Sequence, residues 1–381
     1  MRPFLDRLAW AVAGISTTIL VLVATGIVDA GTLDPPGPPG PTMKSLDQVE
    51  PRTPISSLPY TITQPGSYYV TGNLTGVAGQ NGITIVSDYV TLDLSGFTLT
   101  GVPSSWNGVE VSGIRRGIAV RNGTLRNWEL SGLQAVAAQG GVFEDLIAAW
   151  NAQYGLYAGS GSTLSNCAAR SNGKAGILAD QATITGCSAT GNGEQGFYVS
   201  NSIVTDCEAS INTMAGIEAY SSVRIDGCNV YANGGEGILV TGSATGSLIT
   251  DNQVASNTLD GISVSRSTVD GNAMHYNGLN GITVSGSGSN ITNNHAFGNG
   301  LDLCASNYFV PGSRNRIDAN YADGDASQTC YGFYVSGDDN VVTRNTAAGN
   351  STNNFALLGI SNDYGPVTSA STATNPLSNI E

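Results

Sequence analysis

The sequence predicts an all-β protein, a single-stranded right-handed parallel β-helix of about 13 coils. Two patterns indicate this fold. A phrase of the form Gly-Ile-x-Val returns at steps of 20 to 26 residues, and a pair of Asn or Cys positions five residues apart returns in step with it. The composition agrees, because 50 of 381 residues are glycine and only 12% are charged, whereas helical solenoids are rich in Ala, Glu, Lys, Leu and Arg.

The first pattern marks one short strand in each repeat. Aliphatic and polar residues alternate within it, which is typical of a strand with one buried face. The glycines that open the phrase are Gly82, Gly108, Gly132, Gly155, Gly176, Gly196, Gly216, Gly237, Gly261, Gly281 and Gly332. The longer gap before the last glycine holds one further coil and an insertion at 305–331.

The second pattern marks a corner of each coil, since Asn and Gly tolerate the left-handed backbone that such corners need. Coils stack at about 4.8 Å, so inward Asn amides can hydrogen-bond along the axis as a ladder. The first position of the pair is Cys167, Cys187, Cys207, Cys228, Asn252, Asn272, Asn294, Asn320 and Asn345. The second position is Asn172, Asn192, Asn212, Asn233, Asn257, Asn277, Asn299, Asp325 and Asn350.

The ends of the chain differ from the repeat. Residues 1–30 combine basic residues, an apolar stretch and small residues before Gly31, which predicts a signal peptide or an N-terminal anchor. Residues 31–59 form a Pro-rich linker. The β-helix is expected over 60–365, with a C-terminal capping tail at 366–381. We therefore expect a secreted, cell-surface or periplasmic monomer that meets a membrane only through an uncleaved N-terminal segment.

Several segments resemble a known family. They are PRTPI at 51–55, TQPGSYYVTGNLTG at 63–76, VTLDLSGFTL at 90–99 and NDYGPV…NP at 362–376. With the Asn corners, they make the chain similar to exported bacterial right-handed parallel β-helix repeat proteins of the pectate-lyase-like superfamily, a mostly uncharacterised group. The resemblance covers roughly residues 50–380. It implies the fold and says little about a reaction.

The cysteines leave two alternatives open. Cys167, Cys187, Cys207 and Cys228 occupy the ladder position in adjacent coils, either as reduced buried thiols or within disulfide range of one another. Cys304 and Cys330 bracket the insertion, where a disulfide is plausible in an oxidising compartment.

A candidate binding patch lies on the outward face of the repeated strand. Its members, at the third and fifth strand positions of neighbouring coils, are Tyr157, Asp180, Tyr198, Glu218 and Tyr220. Tyrosine rings stack on sugars and carboxylates accept hydroxyl hydrogen bonds, so the patch suits a polysaccharide or cell-surface glycan. The alternative is that Tyr is simply a good strand residue. A net charge of −14 disfavours nucleic acid.

The sequence favours binding without catalysis. Asp180 and Glu218 are expected about 12 Å apart from the strand spacing, farther than the carboxyl pair of a glycosidase. The two outward columns carry no Lys, Arg or His to act as a proton acceptor. The alternative function is a polysaccharide lyase, hydrolase or epimerase of the same superfamily.

No metal or cofactor is expected. Asp206, Asp226, Asp251 and Asp270 flank the ladder corner, where they could bind calcium or cap turns. His275 and His295 point outward from different columns and make a poor metal pair. The run 337–340, Gly-Asp-Asp-Asn, resembles the paired aspartates of polygalacturonases but lacks that family's His and Arg motifs, so a polar turn is favoured.

Overall fold

The computed structural model describes residues 50–241, 246–300, 305–325 and 329–381, and residues 1–30, predicted to be a signal peptide or anchor, lie outside them. Within these ranges every regular element is a short β-strand and every strand pairing is parallel. None of the elements there is an apolar helix of the length that a bilayer requires. Strands run from Thr53–Ile55 to Asn379–Ile380. They stack as a β-solenoid, as the sequence predicts.

Sheet 1 contains the repeated Gly-Ile-x-Val strands and has 14 members. Its strands are Tyr60–Ile62, Ile83–Ile85, Val109–Val111, Leu133–Ala135, Leu156–Ala158, Ile177–Asp180, Phe197–Ser200, Ile217–Ala219, Ile238–Val240, Ile262–Val264, Ile282–Val284, Ser306–Val310, Tyr331–Val335 and Asn353–Leu357. Each pairs only with the corresponding strand of the coils before and after it.

Sheet 2 follows sheet 1 in each coil, after the first corner. Its strands are Thr53–Ile55, Gly66–Val70, Val90–Asp93, Ile118–Arg126, Val142–Ala149, Thr163–Ser165, Thr183–Thr185, Ile203–Thr205, Arg224–Asp226, Ser247–Thr250, Ser267–Asp270, Asn290–Thr292, Arg316–Asp318, Val341–Thr343 and Asp363–Tyr364. Arg115–Arg116 and Ala138–Gln139 pair separately at that first corner.

Sheet 3 follows the ladder corner. The long strands Ile118–Arg126 and Val142–Ala149 belong to both sheets, because their C-terminal ends pair within sheet 3. Its other strands are Leu74–Thr75, Thr98–Thr100, Ala168–Arg170, Ser188–Thr190, Glu208–Ser210, Asn229–Tyr231, Gln253–Ala255, Ala273–His275, His295–Phe297, Tyr321–Asp323, Thr346–Ala348, Val367–Thr368 and Asn379–Ile380.

The core is a set of identical positions stacked along the axis. In sheet 1, Ile177 lies in register with Phe197, and Phe197 with Ile217; all three side chains are fully buried. The second and fourth positions of the phrase therefore point inward, as alternation predicts. Toward the C-terminal end the same column becomes aromatic, and the rings of Tyr308 and Phe333 stack with centroids 4.4 Å apart.

The Asn ladder exists and satisfies every polar group within it. The Nδ2 atom of Asn192 donates to Oδ1 of Asn212 at 2.9 Å and to the carbonyl oxygen of Ala169 at 3.2 Å. The backbone N–H of Asn192 donates to the same Oδ1 atom at 3.0 Å. The left-handed residues sit one position before the ladder, at Ile211 before Asn212 and Asp251 before Asn252. The ladder position therefore requires the side-chain amide of Asn, and the left-handed backbone belongs to the residue before it.

The insertion alters the ladder at one coil. Asn299 donates to Oδ1 of Asn307 at 2.8 Å, so Asn307 takes the place that the repeat assigns to Asp325. The insertion shifts the chain here, and Asp325 is partly exposed. In the capping tail, Asn379 accepts from Asn345 at 3.2 Å and extends the other ladder by one coil.

The four stacked cysteines are free thiols and all are buried. The backbone N–H of Cys167 points at Sγ of Cys187, and that of Cys187 at Sγ of Cys207, each at 3.4 Å. The thiols thus fill the positions that Asn252 and its successors fill later. Cys330 is disulfide-bonded; Cys304, its expected partner, lies outside the described residues.

We predict that Asn272→Ala strongly destabilises the protein. Asn272 is 1% exposed, accepts from Asn252 at 2.8 Å and donates to Asn294 at 2.9 Å. Each neighbour left with an unpaired polar group costs about 1–3 kcal/mol. Thermal or urea unfolding measures the loss. Ser263→Ala, on the outward face of the same coil, should be nearly neutral, and equal shifts for the two variants would contradict the inward assignment.

Candidate functional site

The outward face of sheet 1 contains a groove of 410 Å³. It runs across consecutive coils because the residues at one strand position stand above one another. Its lining comprises Val136, Tyr157, Ala158, Gly159, Ser160, Leu178, Ala179, Asp180, Tyr198, Val199, Ser200 and Tyr220. We call this surface the tyrosine groove. Three aromatic rings and one carboxylate therefore face solvent over an apolar floor.

Four of the five predicted patch residues line the tyrosine groove, and the fifth borders it. Tyr157 lies in register with Leu178, Leu178 with Tyr198, and Tyr198 with Glu218. Tyr220 is 57% exposed. Glu218 is outside the lining and accepts a hydrogen bond from Nε2 of Gln195 at 2.7 Å. This bond holds the carboxylate at the groove margin.

Gly159 shapes one end of the groove. A Cβ atom at this position would lie 2.3 Å from the carbonyl oxygen of Ala138 and 2.6 Å from that of Val136. The strand can therefore approach the preceding coil closely only because no side chain is present. The same absence leaves the space beside Tyr157 open.

Sequence alternation missed the residues that precede each repeated glycine. The ring of Tyr154 lies edge-on to that of Tyr157, with centroids 5.4 Å apart, and Nζ of Lys174 lies 5.2 Å from the Tyr154 centroid. A cation therefore stands beside the groove, although the two outward columns contain none. The side chain just before the repeated glycine therefore contacts a side chain at the third strand position, as Tyr154 contacts Tyr157 and Gln195 contacts Glu218.

Glu236 lies at the acidic margin of the groove, near Glu218 and Asp260. Burial raises the pKa of Glu236, and the nearby carboxylates of Asp260 and Glu218 raise it further. The pKa of Tyr198 is raised by burial first and then by Glu218, Tyr220 and Tyr154. Ionisable groups at the groove margin, Glu218 and Tyr154, therefore influence the pKa of a tyrosine that lines the groove.

The aspartates at the ladder corner act as turn groups. Asp206 and Asp251 adopt left-handed backbone, with φ of 52° and 54°. Asp270 accepts from the hydroxyl of Thr292 at 2.6 Å, and Asp226 pairs with Arg224 at 3.1 Å. Among the described residues no three His, Cys, Asp or Glu side chains converge as metal ligands.

His275 and His295 lie on sheet 3 in different columns, with ring centroids 5.6 Å apart in an edge-on contact. In the run 337–340, Asp338 accepts from the backbone N–H of Ile360 at 2.7 Å. Oδ1 of Asn340 accepts from the backbone N–H of Asn315 at 2.8 Å, in a third ladder that the sequence did not predict. This run is therefore a structural corner.

Comparison with known proteins agrees with this architecture. The profile of a family described as right handed beta helix region matches residues 107–268 and 221–365. Comparison with curated proteins finds no match. The A-module of the mannuronan C-5 epimerase AlgE4 of Azotobacter vinelandii has a TM-score of 0.50 and 16% identity, over 83% of this chain and 91% of that one.

Two other solved structures are more distant. The periplasmic alginate epimerase AlgG has a TM-score of 0.42 and 14% identity, over 67% of this chain and 76% of its own. The catalytic domain of a GH87 α-1,3-glucanase has a TM-score of 0.47 and 12% identity, over 91% of this chain and 69% of its own. At these identities the likeness concerns the fold alone.

We predict that Glu236→Gln changes how stability depends on pH. The folded carboxyl holds its proton more tightly than the unfolded one, so stability is full below the ordinary pKa of 4.5 and falls as pH rises through the raised folded pKa. The variant should not show this decrease in stability, and at pH values above the folded pKa it should have a higher melting temperature than wild type. Melting temperatures over a pH series measure it. Glu129→Gln, at an exposed site, controls for net charge, and parallel curves for Glu236→Gln and wild type would contradict the prediction.

Proposed function

Since this chain belongs to the right-handed β-helix family, whose profile matches more than half of it, we propose that it is an exported, non-catalytic protein that binds polysaccharide in the tyrosine groove. Its N-terminal segment would direct it to the cell surface, the periplasm or the medium. The partner is a glycan, and the chain acts as a monomer.

The observation that carries this proposal is the chemistry of the groove. The side chains of Tyr157, Tyr198 and Tyr220 offer aromatic faces at successive heights on one apolar surface, and Asp180 offers acceptor oxygens between them. Sugar rings present C–H faces and hydroxyl edges, which match aromatic surface and carboxylate oxygens respectively. The groove is open along the stack, so it suits a chain better than a small enclosed molecule.

A catalytic role is the second candidate, and one observation favours it. Glu236 has a raised pKa and lies near Glu218 and Asp260 at the groove margin. A carboxyl with a raised pKa next to another carboxyl is the arrangement that acid–base catalysis on glycans uses. An assay for new reducing ends and for unsaturated sugars, run on Glu236→Gln beside wild type, separates this candidate from binding alone.

We predict that Tyr198→Ala weakens glycan binding about fivefold, or about 1 kcal/mol, because the variant loses an aromatic contact face. A glycan array identifies the polysaccharide that wild type retains, and calorimetry then measures the affinity. Tyr276→Ala, which removes an exposed ring at the corner after a sheet 3 strand, should leave the affinity unchanged. Melting temperatures of both variants check folding. Equal affinity of Tyr198→Ala and wild type would mean that the groove is ordinary strand surface.

We also predict that Glu218→Gln changes the preference between charged and neutral glycans. Removing one negative charge at the groove margin relieves repulsion of acidic sugars, so their affinity should rise relative to that of neutral ones. Calorimetry with one glycan of each kind measures the ratio. Binding that requires calcium would contradict this prediction, because a bridging cation would then set the charge preference.

A further inference from the structure

A pair of arginines lies at the first corner of the coil that precedes the N-terminal end of the tyrosine groove. Arg115 and Arg116 pair with Ala138 and Gln139 of the next coil. The backbone N–H of Arg115 donates to the carbonyl oxygen of Ala137 at 2.9 Å, directly after the groove residue Val136. Ala138 in turn lies against Gly159. The arginines thus stand one coil before the end of the groove.

The guanidinium of Arg115 lies over a glycine at the same corner. It folds back over Gly113, where a Cβ atom would come within 3.3 Å of Nη2, so the glycine leaves the space that the group occupies. Nη1 lies 3.5 Å from the carbonyl oxygen of Ile114, which is a weak contact. The Nε atom is buried and has no hydrogen-bond partner among the described residues. A buried charged donor without an acceptor is costly unless a ligand completes it.

Among the described residues, no carboxylate forms an ion pair with the side chain of Arg115 or Arg116. Asp88 accepts from the backbone N–H of Arg116 at 3.1 Å, and Glu110 accepts from the side-chain amide of Asn81. The ion pairs within the described ranges involve Arg52, Arg121, Arg224, Arg316 and Arg344. Arg115 and Arg116 are therefore cationic groups without a carboxylate partner in the part of the chain that the structure describes, on a protein whose net charge is −14.

We propose that Arg115, with Arg116 beside it, forms an anion-binding subsite at the N-terminal end of the tyrosine groove. The subsite takes a carboxylate or sulfate substituent of the glycan chain, whose neutral rings lie along the tyrosines. This inference rests on the proposed function and adds ligand class and direction to it. An acidic unit is accepted at the arginine end and disfavoured beside Asp180 and Glu218, so the groove selects one orientation of the chain.

The test uses three probes of equal length: cellohexaose, its C6-oxidised form and its C6-sulfated form. Calorimetry at low salt should show that wild type prefers at least one anionic probe over cellohexaose by about tenfold, since a hydrogen bond to a charged group outweighs a neutral one. Arg115→Gln should remove that preference and keep the affinity for cellohexaose. Comparing the oxidised and sulfated probes identifies the substituent.

The matched control is Arg266→Gln, which removes an exposed positive charge several coils away. It should keep the preference for the anionic probe. A wild type that binds none of the three probes, or that prefers the neutral one, overturns the subsite. The subsite is also overturned if Arg115→Gln and Arg266→Gln reduce the preference equally, because net charge would then explain it. Binding that depends on Tyr198 but not on Arg115 would leave the proposed function standing and remove only this inference.

Discussion

The hydrogen bond between corresponding Asn amides of adjacent coils is the interaction on which the rest of the structure depends. Each amide donates to the next Asn and to a backbone carbonyl, as at Asn192, so a buried corner carries polar groups without leaving any unsatisfied. The ladder requires that coils stack in register. A slip by one residue would bury outward side chains and break every such bond at once.

Registered stacking is also what creates the candidate site. A single coil presents only one or two outward side chains on sheet 1, too few to hold a ligand. Because Tyr157, Tyr198 and Tyr220 come from three different coils, the groove forms only after the coils have stacked. Binding surface and stability are therefore properties of the same array, and a ladder defect near Asn192 or Asn212 should disturb the groove through the coils that it joins.

The charges around the groove are arranged unevenly, because the acidic and basic residues occupy different positions within their coils. Glu236 precedes its strand, Glu218 and Asp180 lie on outward strand positions, and the arginines follow the strand at the first corner. A chain that lies across the coils would meet cations at one end and carboxylates at the other, which gives the surface a direction.

The sequence by itself determined the fold, the ladders and the inward and outward columns, because strand alternation and a regular repeat fix which positions stack. It placed Tyr157, Asp180, Tyr198 and Tyr220 on one face for that reason. Only the tertiary structure decided the rest: that Asn307 replaces Asp325 in the ladder, that four stacked cysteines are free, and that Tyr154, Lys174 and Glu236 border the groove. These residues lie at corners and in an insertion, where alternation no longer tells which way a side chain points. Their positions follow from contacts between coils that no local pattern encodes.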